Sequence, residues 1–185
     1  MIKIEESLTN SLARFNFMLR NEDITVECIN NYNGFSLLGE NYGPFEKGKR
    51  YKLKLFIAII FIQNDVLRIA PSSKCDNIDV QRYAISERDD TKLIITNDNF
   101  FLNRIKEFKD FLEIEINKNY KPKIDLDRYN SYASNIIDSR LLKLLKLAKA
   151  EISLDDEKRL TIPEKLFYKI LNKNISKWRA FFLTA

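Results

Sequence analysis

Histidine is missing from all 185 residues of this chain. Its absence excludes imidazole as a catalytic base, a proton shuttle or a metal ligand, so Ser-His-Asp triads, Cys-His pairs and histidine-ligated zinc are not available. The two cysteines, Cys28 and Cys75, stand far apart and outside any CxxC pair, which removes zinc ribbons and dithiol redox motifs. Each reads as a small buried apolar residue. Long hydrophobic runs are also missing. The longest, over residues 55–62, is far too short to cross a bilayer, and no charged n-region leads into an apolar stretch at the start. A soluble, intracellular protein is expected. Glycine is scarce, and all four glycines fall between Gly34 and Gly48. The rest of the chain must turn without it.

What is present is apolar and aromatic: 45% hydrophobic residues and 12% aromatic rings, which excludes disorder as the main state. A chain of this size buries roughly 70% of its unfolded surface and fits one domain or two small ones. With 31 basic and 26 acidic residues the net charge is +5, compatible with a nucleic-acid or acidic-protein partner without singling either out.

Leu8, Leu12, Phe15 and Leu19 recur at helical spacing and predict an amphipathic helix over residues 5–20. Alternation of Ile24, Val26 and Cys28 with Thr25, Glu27 and Ile29 predicts a strand, and Asn30, Asn31, Asn33 and Gly34 a turn. A short apolar piece at 35–38 follows, then a sharp bend at Tyr42-Gly43-Pro44-Phe45. Residues 51–55 alternate apolar with lysine. The run 56–62 fits a buried strand or a short helix equally well. Residues 66–69 read as a strand, and Ala70-Pro71-Ser72-Ser73 as a linker. Beyond it the texture is helical. Asn97 or Asp98 can cap a helix with the stripe Phe101, Ile105, Phe108, Leu112 and Ile116. A further helix over 136–150 has Ile137, Leu141, Leu144, Leu145 and Ala148 as its stripe. Thr161 and Glu164 have capping-box spacing ahead of a last helix that runs to Trp178, Phe181 and Phe182. The fold class expected is α+β, mostly α: a small N-terminal β-rich domain with a leading helix over 1–70, a linker over 71–77, and a larger, bundle-like helical domain over 78–185.

Catalytic motifs do not emerge. Gly39, Gly43 and Gly48-Lys49 have the wrong spacing for a phosphate loop, and no Ser or Thr follows the lysine. Asp155-Asp156-Glu157 reads as a solvated helix start rather than a cation site. Two basic groups are candidates for contact with phosphate or acidic protein: Lys47, Lys49 and Arg50, with Lys52 and Lys54 beside them, and Arg140, Lys143, Lys146 and Lys149, which recur every three residues. The bland readings are an edge strand guarded by lysines and a solvated helix face. A run of large apolar groups at Trp178, Phe181 and Phe182 needs a cover, either a partner or the chain's own helices.

Tyr42-Gly43-Pro44-Phe45-Glu46-Lys47-Gly48 resembles the G-P-F-x-x-G turn of archaeal GINS subunits, where it leads into an alternating stretch, a short helix and a closing strand. Tyr51, Leu53, the run 55–62, Asn64-Asp65 and residues 66–69 follow that order. The proline and tryptophan often found before the helix are missing. Residues 93–101, reading LIITNDNFF, are similar to the start of the family's long helix, and Leu160-Thr161-x-x-Glu164 with Trp178-Arg179 to its last one. With the β-rich domain first, the chain resembles the archaeal subunit related to the eukaryotic Psf-two and Psf-three proteins.

The resemblance implies a non-catalytic, cytoplasmic, nucleoid-associated replication factor with no cofactor and no bound metal. It would pair with a second GINS subunit in a 2:2 assembly and link the MCM helicase to a RecJ-like, Cdc-forty-five-related factor; primase contact is also associated with the family. Gly43, Pro44, Phe45 and Gly48 would then organise the small domain. Phe101, Ile105, Phe108, Leu141, Leu145, Trp178, Phe181 and Phe182 are the candidates for the subunit interface. A small basic nucleic-acid-binding regulator is the alternative from a different class, and an imidazole-free hydrolase built on the acidic triplet a third.

Overall fold

A computed structural model describes residues 2–37 and 39–183, so Leu38, placed by the sequence at the end of a short apolar piece, lies outside the described residues. With 60% of the chain helical and 12% in strands, the fold is α+β and mostly α. The first helix, α1 (Ile2–Arg20), hands over to a small β-rich unit spanning Phe17–Lys74, and the rest of the described chain forms a second compact unit. Residues 2–16 of α1 therefore group with the helical unit rather than with the strands that follow them.

In the small unit, β1 (Asp23–Cys28) is the middle strand of a three-stranded antiparallel sheet. It buries Ile24, Val26 and Cys28 and turns their neighbours outward, the period-two alternation read in the sequence. A hairpin of β2 (Phe35–Leu37) and β3 (Glu40–Tyr42) pairs Phe35 with Tyr42. The flanking sheet strands are β4 (Arg50–Lys54), which sets Leu53 opposite Ile24, and β5 (Leu67–Ile69), which sets Ile69 opposite Val26. Between these lies α2 (Leu55–Gln63), the run that periodicity left undecided. It is a helix: Leu55, Ala58 and Phe61 are buried at steps of three, whereas a strand would bury every second residue. Phe56 and Ile60 stay exposed on its outer side.

Ala70 is fully buried and its N–H bonds to the Thr25 carbonyl; Pro71–Ser73 then make one 3-10 turn. The change from one unit to the other comes between Lys74 and Cys75.

After the small unit the helical unit resumes with α3 (Asn77–Asp89), for which the sequence offered no stripe. Asp76 starts it through a capping box, its carboxylate accepting from the N–H groups of Ile78 and Asp79 while Asp79 reaches back to the Asp76 N–H. Next come α4 (Phe101–Asn117), α5 (Ile124–Leu147), the short α6 (Leu154–Glu157) and α7 (Ile162–Leu183). On α4 the predicted stripe holds, with Ile105, Phe108 and Leu112 buried. Asp98 sits just ahead of it, accepting from the Phe100 N–H at 2.8 Å and pairing with Arg104. Helix α3 packs along α5, which also meets α4 and α7. A cluster of Leu93, Leu144, Ala148, Leu160 and Tyr168 closes one part of the core.

Candidate interaction surfaces

The turn at Gly43-Pro44-Phe45 is built around two backbones in near contact. Gly43 has φ +97° and Gly34 φ +89°. A Cβ on Gly43 would stand 2.6 Å from the Gly34 Cα, and one on Gly34 would stand 2.4 Å from the Tyr42 carbonyl oxygen, so neither position accepts a side chain. The Gly43-Pro44 peptide is cis. Phe45 drops to 1% exposure and packs against Tyr51, Phe61 and Tyr32, ring centroids 5.0, 5.3 and 6.5 Å away. The Tyr51 hydroxyl accepts from the Glu46 N–H and donates to the Pro44 carbonyl. At the far side of the turn the Gly48 N–H bonds to the Cys28 carbonyl at 2.8 Å, tying the loop to the end of β1. Gly43, Phe45 and Gly48 thus join the hairpin to the sheet.

The basic residues near this turn are exposed but largely answered by carboxylates. Lys49 pairs with Glu46 at 2.7 Å, and Lys54 with Asp23 at 2.7 Å. Hydrogen bonding from Lys54, with the charge of Lys52 nearby, holds the Asp23 carboxyl below its usual range. Lys47 and Arg50 remain as exposed cations.

On α5 the basic row is split. Arg140 is 1% exposed and Lys143 bonds to Glu87, while Lys146 and Lys149 face solvent. A step of three residues turns a helix about 60° short of a full circle, so Lys146 lies about 120° round α5 from Arg140, and Lys149 lies past the helix's last residue, Leu147. Arg140 is therefore not part of any contact surface, and Lys143 only marginally so. The inner stripe is Ile136, Arg140, Leu144 and Ala148; Ile137 and Leu145, assigned inward by the sequence, are exposed.

Arg140 has every donor engaged. Its guanidinium forks onto Glu164 at 2.6 and 2.8 Å. It also reaches Glu87 at 2.8 Å, the Tyr83 hydroxyl at 3.1 Å, and the carbonyls of Ile94 and Arg159. Lys143 completes Glu87 at 2.6 Å, and the backbone and hydroxyl of Thr161 complete Glu164 at 2.9 and 2.8 Å. Two cations and two carboxylates balance in the interior. Burial works against the guanidinium's charge, but Glu164, with Tyr83 and Glu87, holds its pKa above the ordinary arginine value. Burial likewise pushes the Tyr83 phenol up. The capping-box spacing of Thr161 and Glu164 hinted at one side of this network; nothing in the sequence linked Glu164 to Arg140.

Of the interface candidates, Ile105 and Phe108 belong to the unit's own core, at 3% and 6% exposure. Phe101 and Leu141 are half-buried, Phe101 against the Tyr83 ring at 4.2 Å. Leu145 is exposed, and Trp178, Phe181 and Phe182 are the most exposed of the set.

Depressions among the described residues of the helical unit include two beside candidate residues. A cleft of about 560 Å³ is lined by Asp76, Gln81, Lys121, Asp125, Arg128 and Tyr132, with opposite charges in equal number. An apolar hollow of about 330 Å³ runs beside Cys75, Tyr83, Ile94 and Phe101. Burial raises the Cys75 thiol to about 11.

Asp155 spreads between Arg159 and Lys92, and Ser153 caps α6 by accepting from the Asp156 N–H. Among the described residues no group of three or more Cys, Asp or Glu side chains is placed to hold a metal ion, and no helix is long and apolar enough to cross a membrane. The chain matches no protein-family profile and no curated protein.

Proposed function

We propose that this chain is a non-catalytic assembly subunit of a GINS-type replication complex, acting with a second GINS subunit to join the MCM helicase to a RecJ-like, Cdc-forty-five-related factor. The observation that carries the reading is the Gly43-Pro44-Phe45 turn. It sits between the hairpin and β4, buries Phe45 beneath it, and is followed in order by a short apolar helix, a closing strand and a helical unit. That order is the one the resemblance calls for. Exposed apolar groups on α5 and α7 supply what an assembly subunit needs, a surface for another chain to cover.

The nucleic-acid alternative draws on the basic residues. Pairing of Lys49 with Glu46 and of Lys54 with Asp23, together with the burial of Arg140, leaves it fewer free cations than the sequence promised. Co-expression of the full chain with a second GINS subunit should give one stable hetero-oligomer on size-exclusion chromatography with light scattering, held together in high salt because apolar burial does not weaken with added salt as phosphate contacts do. Alone, the chain should self-associate or aggregate. A well-behaved monomer at micromolar concentration that ignores the second subunit would overturn the reading, as would tight, steeply salt-dependent DNA binding by that monomer.

A further inference from the structure

Helix α7 outruns the body it packs on. Its inner stripe, Phe167, Leu171 and Ile175, lies on the cluster of Leu93, Leu144, Ala148, Leu160 and Tyr168. Further steps of three and four carry the same stripe on to Trp178 and Phe182. Yet every residue from 176 to 183 is exposed, Trp178 at 66%, Phe181 at 79% and Phe182 at 64%. The three rings lean on one another, with Trp178 and Phe181 each 5.0 Å from Phe182. About two turns of helix thus project with a core-type stripe and no core.

Charge says what kind of surface would cover it. Lys177 and Arg179 lie about 100° to either side of Trp178, one on each flank of the aromatic stripe. Lys169 and Lys173 precede them, and no Asp or Glu occurs between Glu164 and Leu183. Among the described residues none of these four cations has an ion-pair partner. A second copy of this chain is a poor occupant, because a twofold pairing of two such ends would bring cations against cations. In area the three rings offer roughly 150–250 Å² each, a large part of the roughly 800 Å² that one side of a specific interface buries. Trp and Arg are also the residue types that dominate binding energy at such interfaces.

We infer that this projecting end of α7 docks into an apolar cleft on a non-identical subunit, and that carboxylates on both rims of that cleft receive Lys177 and Arg179. The inference rests on the assembly reading above and identifies the occupant with the second GINS subunit. The packed stripe and the projecting stripe are one continuous surface, so the partner extends the core of this unit past its edge.

The test uses the full-length chain kept dilute enough to stay monomeric, a purified second GINS subunit, and surface-binding kinetics that read association and dissociation, with circular dichroism as the check on folding. Because the altered side chains are exposed, Phe181→Ser with Phe182→Ser should leave the helical spectrum unchanged and weaken binding about 100-fold. Lys177→Glu with Arg179→Glu should slow association about tenfold and reverse its salt dependence. If the wild-type pair binds and neither double variant changes it, the docking inference is wrong while the assembly reading stands. Loss on removing the rings but not on reversing the charges overturns the carboxylate rims. No binding by the wild-type pair removes both ideas. Binding of the wild-type end to anionic vesicles or single-stranded DNA, lost in the same variants whose subunit affinity is intact, assigns the surface to another class of partner and overturns the inference.

Discussion

The small unit is held at its centre by rings and the helical unit by charges. Around Phe45 the packing is aromatic and close, and the surrounding backbone is shaped so that nothing larger than glycine fits at residues 34 and 43. Around Arg140 the packing is ionic, with two carboxylates, a phenol and two carbonyls satisfying one guanidinium and Lys143 sharing the Glu87 carboxylate. The first centre is strict above all about volume, the second above all about partners. A deletion in the first leaves a hole, and a deletion in the second leaves a stranded charge.

That contrast orders the consequences of mutation. Arg140→Ala should be the most damaging single change, at the upper end of the ~3–5 kcal/mol that breaking a buried pair costs, since two carboxylates lose their partner together. Arg140→Lys should rescue little, because an ammonium cannot fork across Glu164 and reach Glu87 as well. Urea titration followed by far-ultraviolet circular dichroism reads both. Should Arg140→Ala prove milder than the ring deletion, the ranking of the two centres is wrong.

Phe45→Ala comes next, with a cavity costing ~3–5 kcal/mol less whatever the surrounding rings recover by collapsing. Limited proteolysis should then cut within Phe17–Lys74 and spare the helical unit, with residues 2–16 staying bound to it. Simultaneous loss of both units would show that their centres are not independent.

A smaller effect is chemical. The Cys75 thiol is raised by burial to about 11, so its native state favours the protonated form. The stability this contributes is fully present below the ordinary thiol pKa and is lost as pH rises through about 11. Two pKa units correspond to ~2–3 kcal/mol. The midpoint of unfolding, followed by far-ultraviolet circular dichroism, should fall between pH 9 and 11 in the wild type and fall less in Cys75→Ala. Native Cys75 should also resist alkylation at pH 8 until denaturant is added. Smallest of all, Glu46→Gln should leave the unfolding midpoint where it is, since the pair with Lys49 is exposed on both sides.

The same contrast explains what the sequence revealed and what it hid. In the small unit the signal was apolar and local: alternation along β1, the Gly-Pro-Phe bend, the run that became α2. The first two could be read because burial there follows hydrophobicity, whereas the uninterrupted run showed burial without showing helix or strand. In the helical unit α4 was legible for that reason, and α3 was not. Its inner positions are Val80, Ala84 and Glu87, and a glutamate at the third place erases the stripe. Arg140 did the same on α5 and shifted the inferred face by one residue, toward Ile137 and Leu145, because an arginine is counted outward by default. Only the meeting of Glu87, Arg140 and Glu164 makes all three legible as interior, and they lie far apart along the chain. The domain division met a similar obstacle. Asn16 on α1 donates to Glu107 on α4 at 2.6 Å, a tie that no pattern in residues 5–20 announces.

Glu164 stands in the first turn of α7, clamped on one side by the Arg140 fork and on the other by Thr161. A helix held at two points in its opening turn can neither spin about its axis nor slide along it. Trp178 rides on the same rod about 21 Å further on. Over that length a tilt of about 5° at the clamp would swing the ring by about 2 Å, close to the width of a hydrogen bond. The buried carboxylate therefore aims the projecting aromatic tip, and a change at Glu164, beyond what it costs the fold, would leave the tip's side chains in place and pointing the wrong way.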